Sequence, residues 1–350
     1  MGDFKFIKGN EAAAEAAIRA GCEGFFFYPV TPSSEIGEYM ANHLHRTGGV
    51  FAQAESEIAA VNMMFGGAAT GARVMTGTSG VGYSLMSECI SYMAGAEVPA
   101  VIVDVMRAGP GLGSLEPTQG DYNQVTKASG HGGHIIPVYA PSNAQEIVNF
   151  VHESFGTAER FRTPVVVLYD GYTGQVMESV EFPEGRQEKK PNTWSLDDAP
   201  GRKGRVVRSG YAGGIGQHSF ELYAKYDDMK EKLQRFEEYQ TEDAEIILVG
   251  FGIVGRICKS VVDKARDEGL KVGLIRPIMI SPFPAKAFAK YKGTKVKFLT
   301  IEMSYGQMCH DVALAVGEND NTHFFRDKCG SLPAMSEILN RLRQLKGENS

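Results

Sequence analysis

The sequence predicts an α/β protein of two units, the first built on a parallel sheet with helices on both faces. The chain has 350 residues, and single hydrophobic cores stop growing at about 250–300 residues. Short apolar runs alternate with segments of helical period along most of the chain. One run, Pro99–Val105, is uniformly apolar and rich in β-branched residues, which is typical of a strand buried on both faces of a parallel sheet.

Residues 1–172 are predicted to form the first unit, because strands and helices alternate there with short connections. The predicted strands are Gly24–Pro29, Val50–Ala54, Ala72–Gly77, Pro99–Val105, Ile135–Tyr139 and Pro164–Tyr169. The predicted helices are Ser33–His45, Glu57–Thr70, Val81–Ala94 and Ala144–Phe161. The Gly-rich loop Ala108–Gly120 is longer than most strand-to-helix connections, which favours a functional role for it.

Residues 173–243 are predicted to be a linker with extended segments, followed by a charged helix over Ser219–Tyr239 with a solvated face. Residues 244–350 are predicted to form a second, smaller α/β unit. Its predicted strands are Glu245–Val249, Val272–Ile275 and Val296–Ile301. Its predicted helices are Val254–Glu268, Ala285–Tyr291, Gly306–Val316 and Met335–Lys346.

Composition excludes several classes of protein. Hydrophobic residues make up 43% of the chain and charged residues 22%, which is typical of a globular protein rather than a disordered or fibrous one. The net charge of −6 argues against binding to nucleic acid or a membrane surface, since both favour a basic face. No segment approaches the roughly 20 apolar residues of a membrane span, and the amino terminus lacks the apolar core of a signal peptide. We therefore expect a cytoplasmic protein.

The chain offers no standard metal site. No two of its cysteines form a CxxC, so neither a zinc site nor an iron–sulfur cluster is expected on this chain, and their odd, dispersed set fits a reducing compartment. The cysteines are Cys22, Cys89, Cys258, Cys309 and Cys329. His131 and His134 have a spacing that suits a metal, but no nearby acid or cysteine completes the site. A mobile loop at the mouth of a site is the favoured interpretation of these two histidines.

A Gly-x-Gly-x-x-Gly pattern at Gly250–Gly255 stands between a predicted strand and a predicted helix, as a dinucleotide-binding fingerprint requires. The acid expected at the end of the next strand is missing, and Arg276 is found there instead. An arginine at this place could accept the 2′-phosphate of NADP. The alternative is a tight strand-to-helix turn without a ligand.

Candidate site residues follow the ends of four predicted strands, the edge where ligands of α/β sheets gather. Thr31 is held between two prolines, although this segment also suits a plain helix N-cap at Ser33 or Ser34. Glu57 leads a very apolar helix and could exchange a proton, although it also suits a structural first turn.

The remaining candidates are a glycine-rich strand end and a cation. In the segment Thr78–Gly80 and just beyond it, glycines allow the backbone to approach a ligand closely, and the Lys of a Walker A loop is absent. Arg107 closes a buried strand and could bind a substrate carboxylate; its alternative is a surface position.

Taken together, these segments resemble a known family. The runs YPVTPSSEI, QAESEIAAVNMMFGGAATGARVMTGTSGVGYSLMSE and VPAVIVDVMRAGPGLG resemble the α subunit of 2-oxoacid:ferredoxin oxidoreductases. RPIMISPFP and IEMSYGQM in the carboxyl half are similar to two further segments of that family. The likeness spans essentially the whole chain in order, and looks most like the branched-chain 2-oxoisovalerate type, with the 2-oxoglutarate type close behind.

The resemblance implies a thiamine diphosphate enzyme. The first unit would be its pyrimidine-binding domain and the second a domain of transketolase carboxyl-terminal type. Glu57 would be the catalytic glutamate that hydrogen-bonds N1′ of the cofactor. Thr31 and Arg107 would contact the 2-oxoacid carboxylate and the cofactor, with Thr78, Ser79 and Gly80 against the cofactor.

The resemblance also implies partner chains. The family's Mg²⁺–diphosphate site needs a Gly-Asp-Gly, which this sequence lacks. A β subunit would therefore bring Mg²⁺, diphosphate binding and an iron–sulfur cluster, with further γ or δ subunits. Ferredoxin, coenzyme A and the 2-oxoacid would be the other partners.

Overall fold

The computed structural model describes residues 3–189, 191–197, 205–208, 215–317, 321–326 and 330–347. Within them the strands form a seven-stranded sheet, a five-stranded sheet and a two-stranded ribbon. No helix in these ranges is long and apolar enough to cross a membrane. Cys329 and parts of the predicted linker lie outside the described residues.

The seven-stranded sheet is the core of the first unit, and its strand order is β12-β6-β7-β5-β4-β2-β3. All of its pairings are parallel except that of β12 with β6. Its strands are β2 (Gly24–Phe27), β3 (Val50–Gln53), β4 (Val74–Thr78), β5 (Ala100–Met106), β6 (Val138–Tyr139), β7 (Pro164–Asp170) and β12 (Met279–Ser281).

Helices cover both faces of this sheet, as the sequence predicts. Along β5, Val101, Val103 and Val105 belong to one hydrophobic cluster while Ile102 and Met106 belong to another, because alternate residues of a strand point to opposite faces. The helices of the first unit are α1 (Gly9–Arg19), α2 (Ser34–His43), α3 (Glu57–Ala69), α4 (Gly80–Gly95), α5 (Tyr122–Thr126), α6 (Ala144–Phe161) and α7 (Gly171–Gln175). A 3₁₀ turn, Leu44–Thr47, follows α2.

The second unit is built on the five-stranded sheet, of order β14-β13-β10-β11-β9. Only the pairing of β9 with β11 is antiparallel. Its strands are β9 (Phe236–Tyr239), β10 (Ile246–Val249), β11 (Val272–Pro277), β13 (Lys297–Glu302) and β14 (Thr322–Arg326). Its helices are α9 (Gly252–Asp267), α10 (Met308–Val316) and α11 (Met335–Gly347).

Several elements differ from the sequence prediction. The sequence predicts a helix over Ser219–Tyr239, but the observed helix α8 (Ile215–Lys232) ends seven residues earlier. The strand β9 follows it and pairs with β11 at the edge of the second sheet. The predicted helix over Ala285–Tyr291 is two short 3₁₀ turns, because its segment between Pro284 and Gly293 is brief and 3₁₀ geometry is common in such pieces. The ribbon of β1 (Asp3–Lys8) with β8 (Met177–Phe182) was not expected from the sequence.

The two units share more than a linker. The strand β12 belongs by sequence to the carboxyl half, yet it pairs with β6 at the edge of the first sheet. Arg276 on β11 donates hydrogen bonds of 2.7 and 2.9 Å to Glu146 on α6. Gln119, near the end of the Gly-rich loop, exchanges hydrogen bonds with the backbone of Met303.

Candidate active site

The carboxyl ends of β5, β4, β2 and β3 form one continuous edge, because these four strands are neighbours in the first sheet. Each predicted site residue lies at or just beyond one of those ends. Thr31 follows β2, Glu57 follows β3, Thr78–Gly80 follows β4 and Arg107 follows β5. The topology thus brings the predicted residues to a single edge.

Glu57 is positioned by the first turn of α3. The Ser56 hydroxyl caps this helix by accepting a hydrogen bond of 3.2 Å from the Ala59 N–H. The Glu57 side chain is only 6% exposed, and its Oε1 lies 2.6 Å from the place where a Cβ on Gly82 would stand. The same Cβ would also contact the Thr78 hydroxyl. Among the described residues no hydrogen bond is made to the Glu57 carboxylate, so its oxygens are open to a ligand.

The segment from β4 into α4 carries buried hydroxyl groups at the same edge of the sheet. Ser79 occupies the N-cap position of α4 without capping it through its side chain. Its Oγ is buried and lacks a hydrogen-bond partner in the described part of the chain, as does Oγ1 of Thr76. A buried hydroxyl without a partner costs about 1–3 kcal/mol, so both atoms fit a site that a polar ligand completes.

Thr31 and Arg107 lie in direct contact. The Arg107 Nη1 donates a hydrogen bond of 2.9 Å to the Thr31 carbonyl, and Nη2 one of 3.0 Å to the Leu112 carbonyl. The Arg107 Nε is buried and has no partner among the described residues. Both bonded acceptors are uncharged carbonyls, so the positive charge of this 8% exposed residue is not neutralised by an ion pair.

A cavity of about 380 Å³ opens beside Arg107 and Gly80. Its walls come from both units, since Asp121 and Gln124 of the first unit face Ser304 and Tyr305 of the second. These four residues were missed from the sequence, because the loops and the five-residue helix α5 that carry them are too short to show a strand or helix period.

Two buried acids stand behind this cavity. Asp104 on β5 is fully buried and Asp121 is 9% exposed; both oxygens of Asp104 and Oδ2 of Asp121 have no hydrogen-bond partner in the described ranges. Burial, with repulsion from Asp121, raises the pKa of Asp104 well above its ordinary value. Burial raises the pKa of Asp121 to about 7, against the lowering effect of Arg107. A lone acid in an otherwise apolar strand was the available sequence signal for Asp104.

The Gly250–Gly255 segment forms a tight turn. Gln119 donates a hydrogen bond of 2.9 Å to the Phe251 carbonyl just before α9. A Cβ on Gly255 would come within 2.6 Å of the Arg276 side chain, so this glycine serves close packing. Arg276 itself is engaged by Glu146 and Glu237 and is therefore not free for a 2′-phosphate.

Other residues considered from the sequence lie apart from these contacts. The His134 ring is 3.2 Å from the His131 carbonyl, and burial lowers the pKa of His134. Within the described ranges no group of three or more His, Cys, Asp or Glu residues could hold a metal ion. The buried Glu302 accepts hydrogen bonds from the backbone N–H groups of Met308 and Cys309, so it caps the first turn of α10.

Comparison with known proteins agrees with this geometry. A family described as pyruvate flavodoxin/ferredoxin oxidoreductase, thiamine diphosphate-binding, matches residues 15–244. The core domain II of pyruvate:ferredoxin oxidoreductase matches residues 244–338.

Two curated relatives are similar over most of their length. The chain is 43% identical over 349 residues to the ketoisovalerate oxidoreductase subunit VorB of Methanothermobacter marburgensis, spanning 99% of each chain. It is 37% identical over 322 residues to the 2-oxoglutarate synthase subunit KorA of Archaeoglobus fulgidus, spanning 89% of this chain and 91% of the relative.

Two solved structures share the fold. The 2-oxoglutarate:ferredoxin oxidoreductase from Magnetococcus marinus superposes with a TM-score of 0.86 at 24% identity, over 98% of this chain and 65% of that one. A split-gene transketolase superposes with a TM-score of 0.62 at 12% identity, over 97% and 98% of the two chains. The predicted fold class, a thiamine diphosphate-binding parallel sheet with a second α/β domain of transketolase type, is confirmed.

The extent of the two family matches and of the 43% identity also confirms the family that the sequence resembles. The chain belongs to the 2-oxoacid:ferredoxin oxidoreductases, a family whose two matching models are described by their pyruvate-oxidising members.

Proposed function

We propose that the chain is the α subunit of a thiamine diphosphate-dependent 2-oxoacid:ferredoxin oxidoreductase. The reaction is the oxidative decarboxylation of 2-oxoisovalerate to an acyl-CoA and CO₂, with reduction of ferredoxin. The observation that carries the proposal is the buried, unbonded carboxylate of Glu57, which lies against Gly82 at the sheet edge that also carries Thr31 and Arg107. The name of the 43% identical relative supports the substrate.

The residues fit the aminopyrimidine half of the cofactor. Gly82 lets the Glu57 carboxylate lie directly against α4, since a Cβ there would stand 2.6 Å from Glu57 Oε1. The Ser79 hydroxyl is buried without a hydrogen-bond partner in the described ranges, and Gly80, the next residue, lines the cavity beside Arg107. When bound, thiamine diphosphate supplies the nucleophilic carbon and the electron sink that decarboxylation of a 2-oxoacid requires.

Glu57 is the catalytic residue of this chain. With the cofactor bound, its carboxyl group would hydrogen-bond the ring nitrogen N1′ and so favour the tautomer in which the cofactor is reactive. The Ser56 cap stabilises the first turn of α3, which begins at Glu57, and the helix fixes the direction of the Glu57 side chain. Burial excludes water from the shared proton, which strengthens the hydrogen bond.

Arg107 and Thr31 bind the carboxylate of the 2-oxoacid. The Arg107 Nε is buried with no partner in the described chain, and the guanidinium charge is opposed by carbonyl groups alone. Arginine suits this task because its planar fork binds a carboxylate through two hydrogen bonds. Thr78, Ser79 and Gly80 form the wall against the cofactor.

The rest of the catalytic unit belongs to partner chains. The helices α3 and α4 leave an apolar face exposed beside Glu57, although solvated helices usually carry polar residues there. We call this surface the α3–α4 face; its residues are Ile58, Met63, Leu85 and Tyr92, each at least 40% exposed. A β subunit that brings Mg²⁺, diphosphate binding and an iron–sulfur cluster covers it. Smaller γ or δ subunits carry electrons onward to ferredoxin, and coenzyme A enters the completed site from the cytoplasm.

The second candidate substrate is 2-oxoglutarate, favoured by the relative that is 37% identical over 322 residues. Initial rates of viologen reduction by the assembled complex with pyruvate, 2-oxoglutarate and 2-oxoisovalerate decide between them. The proposal expects the largest kcat/KM with 2-oxoisovalerate. A larger value with 2-oxoglutarate would replace the substrate and keep the reaction.

The replacement Glu57→Gln tests the catalytic role. In the complex assembled with partner subunits, we expect substrate-dependent viologen reduction to fall by about 10²–10⁴-fold, because the proton can no longer be exchanged. Glu55→Gln is the matched control, since Glu55 stands two residues away and is exposed. Undiminished activity in Glu57→Gln would refute the proposal.

A further inference from the structure

The cavity beside Arg107 holds one cation and one acid that do not form an ion pair. Arg107 and Asp121 both line it. Arg107 makes its hydrogen bonds to the carbonyl groups of Thr31 and Leu112, while Oδ2 of Asp121 has no partner in the described ranges. The charge of Asp121 therefore acts on Arg107 through space and does not cancel it locally.

Close packing fixes Asp121 in this place. A Cβ on Gly80 would stand 2.5 Å from both of its carboxylate oxygens, so the carboxyl group lies directly on the first residue of α4. Asp104 lies behind it on β5, next to Thr78 of β4 in the parallel register. Both oxygens of Asp104 are buried without a partner in the described chain, which makes its charged form very costly.

We propose that Asp121 tunes, through its own charge, the affinity of the cavity for the 2-oxoacid carboxylate at Arg107. The inference rests on the proposed binding role of Arg107. Burial, with repulsion from Asp121, raises the pKa of Asp104 well above its ordinary value and so favours its neutral form. With Asp121 protonated the cavity carries the single positive charge of Arg107, and with Asp121 ionised the two charges sum to zero.

The direction of the pH dependence follows. Burial raises the pKa of Asp121 to about 7, so the group is largely neutral below that pH and ionised above it. The 2-oxoacid carboxylate stays ionised throughout, because an ordinary carboxyl group titrates near pH 4 and the adjacent carbonyl makes this one more acidic. A monoanionic substrate is thus bound more tightly below pH 7 and more weakly above it.

The other titratable groups near Asp121 are engaged or uncharged. The Tyr83 hydroxyl on α4 is hydrogen-bonded to Ser129, and burial raises the pKa of Tyr83. Tyr122, next in sequence, donates to Asp311, which also pairs with Lys127. Glu302 caps α10. Tyr305 lines the cavity together with Asp121.

The test measures KM and kcat for 2-oxoisovalerate from pH 6 to pH 8 in the assembled complex. In the wild type we expect KM to rise by about tenfold across this range, the effect of one unit charge at cavity distances. In Asp121→Asn we expect KM to stay low and nearly independent of pH, with kcat keeping its wild-type profile. Asp311→Asn is the matched control and should keep the wild-type slope of KM.

A second measurement does not need turnover. Infrared difference spectra of the complex labelled with ¹³C-aspartate should show one carboxyl group titrating near pH 7, and the band should be lost in Asp121→Asn and kept in Asp104→Asn. A wild-type KM independent of pH, a slope that survives in Asp121→Asn, or a band lost in Asp104→Asn would each overturn the inference.

The variant Arg107→Gln separates this inference from the proposed function. If it leaves KM unchanged, the binding role of Arg107 fails and the inference falls with it, even though the reaction and Glu57 stand. If Arg107→Gln raises KM and Asp121→Asn has no effect on the pH profile, only the inference fails.

Discussion

Gly82 illustrates how a residue without a side chain shapes a candidate site. The Glu57 carboxylate occupies the space that a Cβ at this position would fill. We predict that Gly82→Ala folds but is destabilised by about 1–3 kcal/mol, the usual cost of overpacking, and loses at least tenfold in kcat because Glu57 is displaced. Thermal unfolding of the chain and initial rates of the complex measure the two effects.

Gly156→Ala is the matched control for that variant. It lies within the helix α6, and an added Cβ there meets nothing within 4 Å. Because glycine costs about 1 kcal/mol relative to alanine inside a helix, this variant should be as stable as the wild type or more so, with unchanged activity. Equal behaviour of the two variants would contradict the packing argument.

At the same scale, the sequence could place together those candidate residues that follow strand ends. Glu57 and Arg107 each close or follow an apolar run, and neighbouring parallel strands end at the same edge. Asp121 was not predicted, because its importance depends on Gly80 of α4 and Tyr305 of the second unit, which are distant in sequence. No pattern in the neighbouring sequence predicts that residues so distant along the chain lie together in the fold.

Among the helices and strands, α3 and α4 give the clearest prediction about assembly with a partner subunit. If a partner subunit covers the α3–α4 face, a charge placed in its middle should prevent assembly while leaving the isolated chain folded. We predict that Met63→Glu abolishes co-purification with the partner subunits, because burying an unpaired carboxylate costs several kcal/mol. The midpoint of thermal unfolding of the isolated chain should change little, since Met63 is 42% exposed.

Phe220→Glu provides a control for Met63→Glu. Phe220 is 72% exposed on α8, far in sequence from the candidate site, and its replacement should leave assembly intact. Assembly of the Met63→Glu chain at wild-type yield would show that the face has another role.

Elements with a strong period were predicted well, and those defined by tertiary contact were not. The helix α6 has the predicted bounds, because its apolar residues recur at helical spacing against the sheet. By contrast, Phe236–Tyr239 continues a charged helical pattern and is nevertheless a strand, since pairing with β11 offers it backbone partners. Context of this kind is absent from the segment itself.

For the whole molecule, the connection between the two units depends on Arg276. Its side chain is 7% exposed and pairs with Glu146 of the first unit and Glu237 of β9. We predict that Arg276→Met lowers the free energy of unfolding by about 3–5 kcal/mol, because Glu146 loses its charged partner and keeps only the hydrogen bonds from Ser142. Denaturant unfolding measures this, and Arg256→Met, which removes an exposed pair with Glu178, should cost at most about 1 kcal/mol.

The ion pair of Arg276 with Glu146 makes the stability of the molecule depend on pH. Burial raises the pKa of Glu146, but the hydrogen bonds and charge of Arg276 outweigh it and leave this pKa below the usual value. A carboxyl group with a lowered pKa in the folded state stabilises the protein above its ordinary pKa, and this contribution is lost as the pH falls through the folded value. Acid should therefore loosen the contact between the units. The loss of free energy of unfolding on acidification should be smaller in Arg276→Met than in the wild type, which denaturant unfolding at neutral and acidic pH measures.

The pairing of β12, from the carboxyl half, with β6 of the first sheet has a consequence for synthesis of the chain. The first sheet contains residues 24–170 together with Met279–Ser281, so it cannot be completed when the ribosome has made only the amino-terminal half. Domains usually fold in order as they emerge, at about 5–20 residues per second. Here the nascent sheet must wait, with β6 unpaired on one side, until more than a hundred further residues have left the exit tunnel.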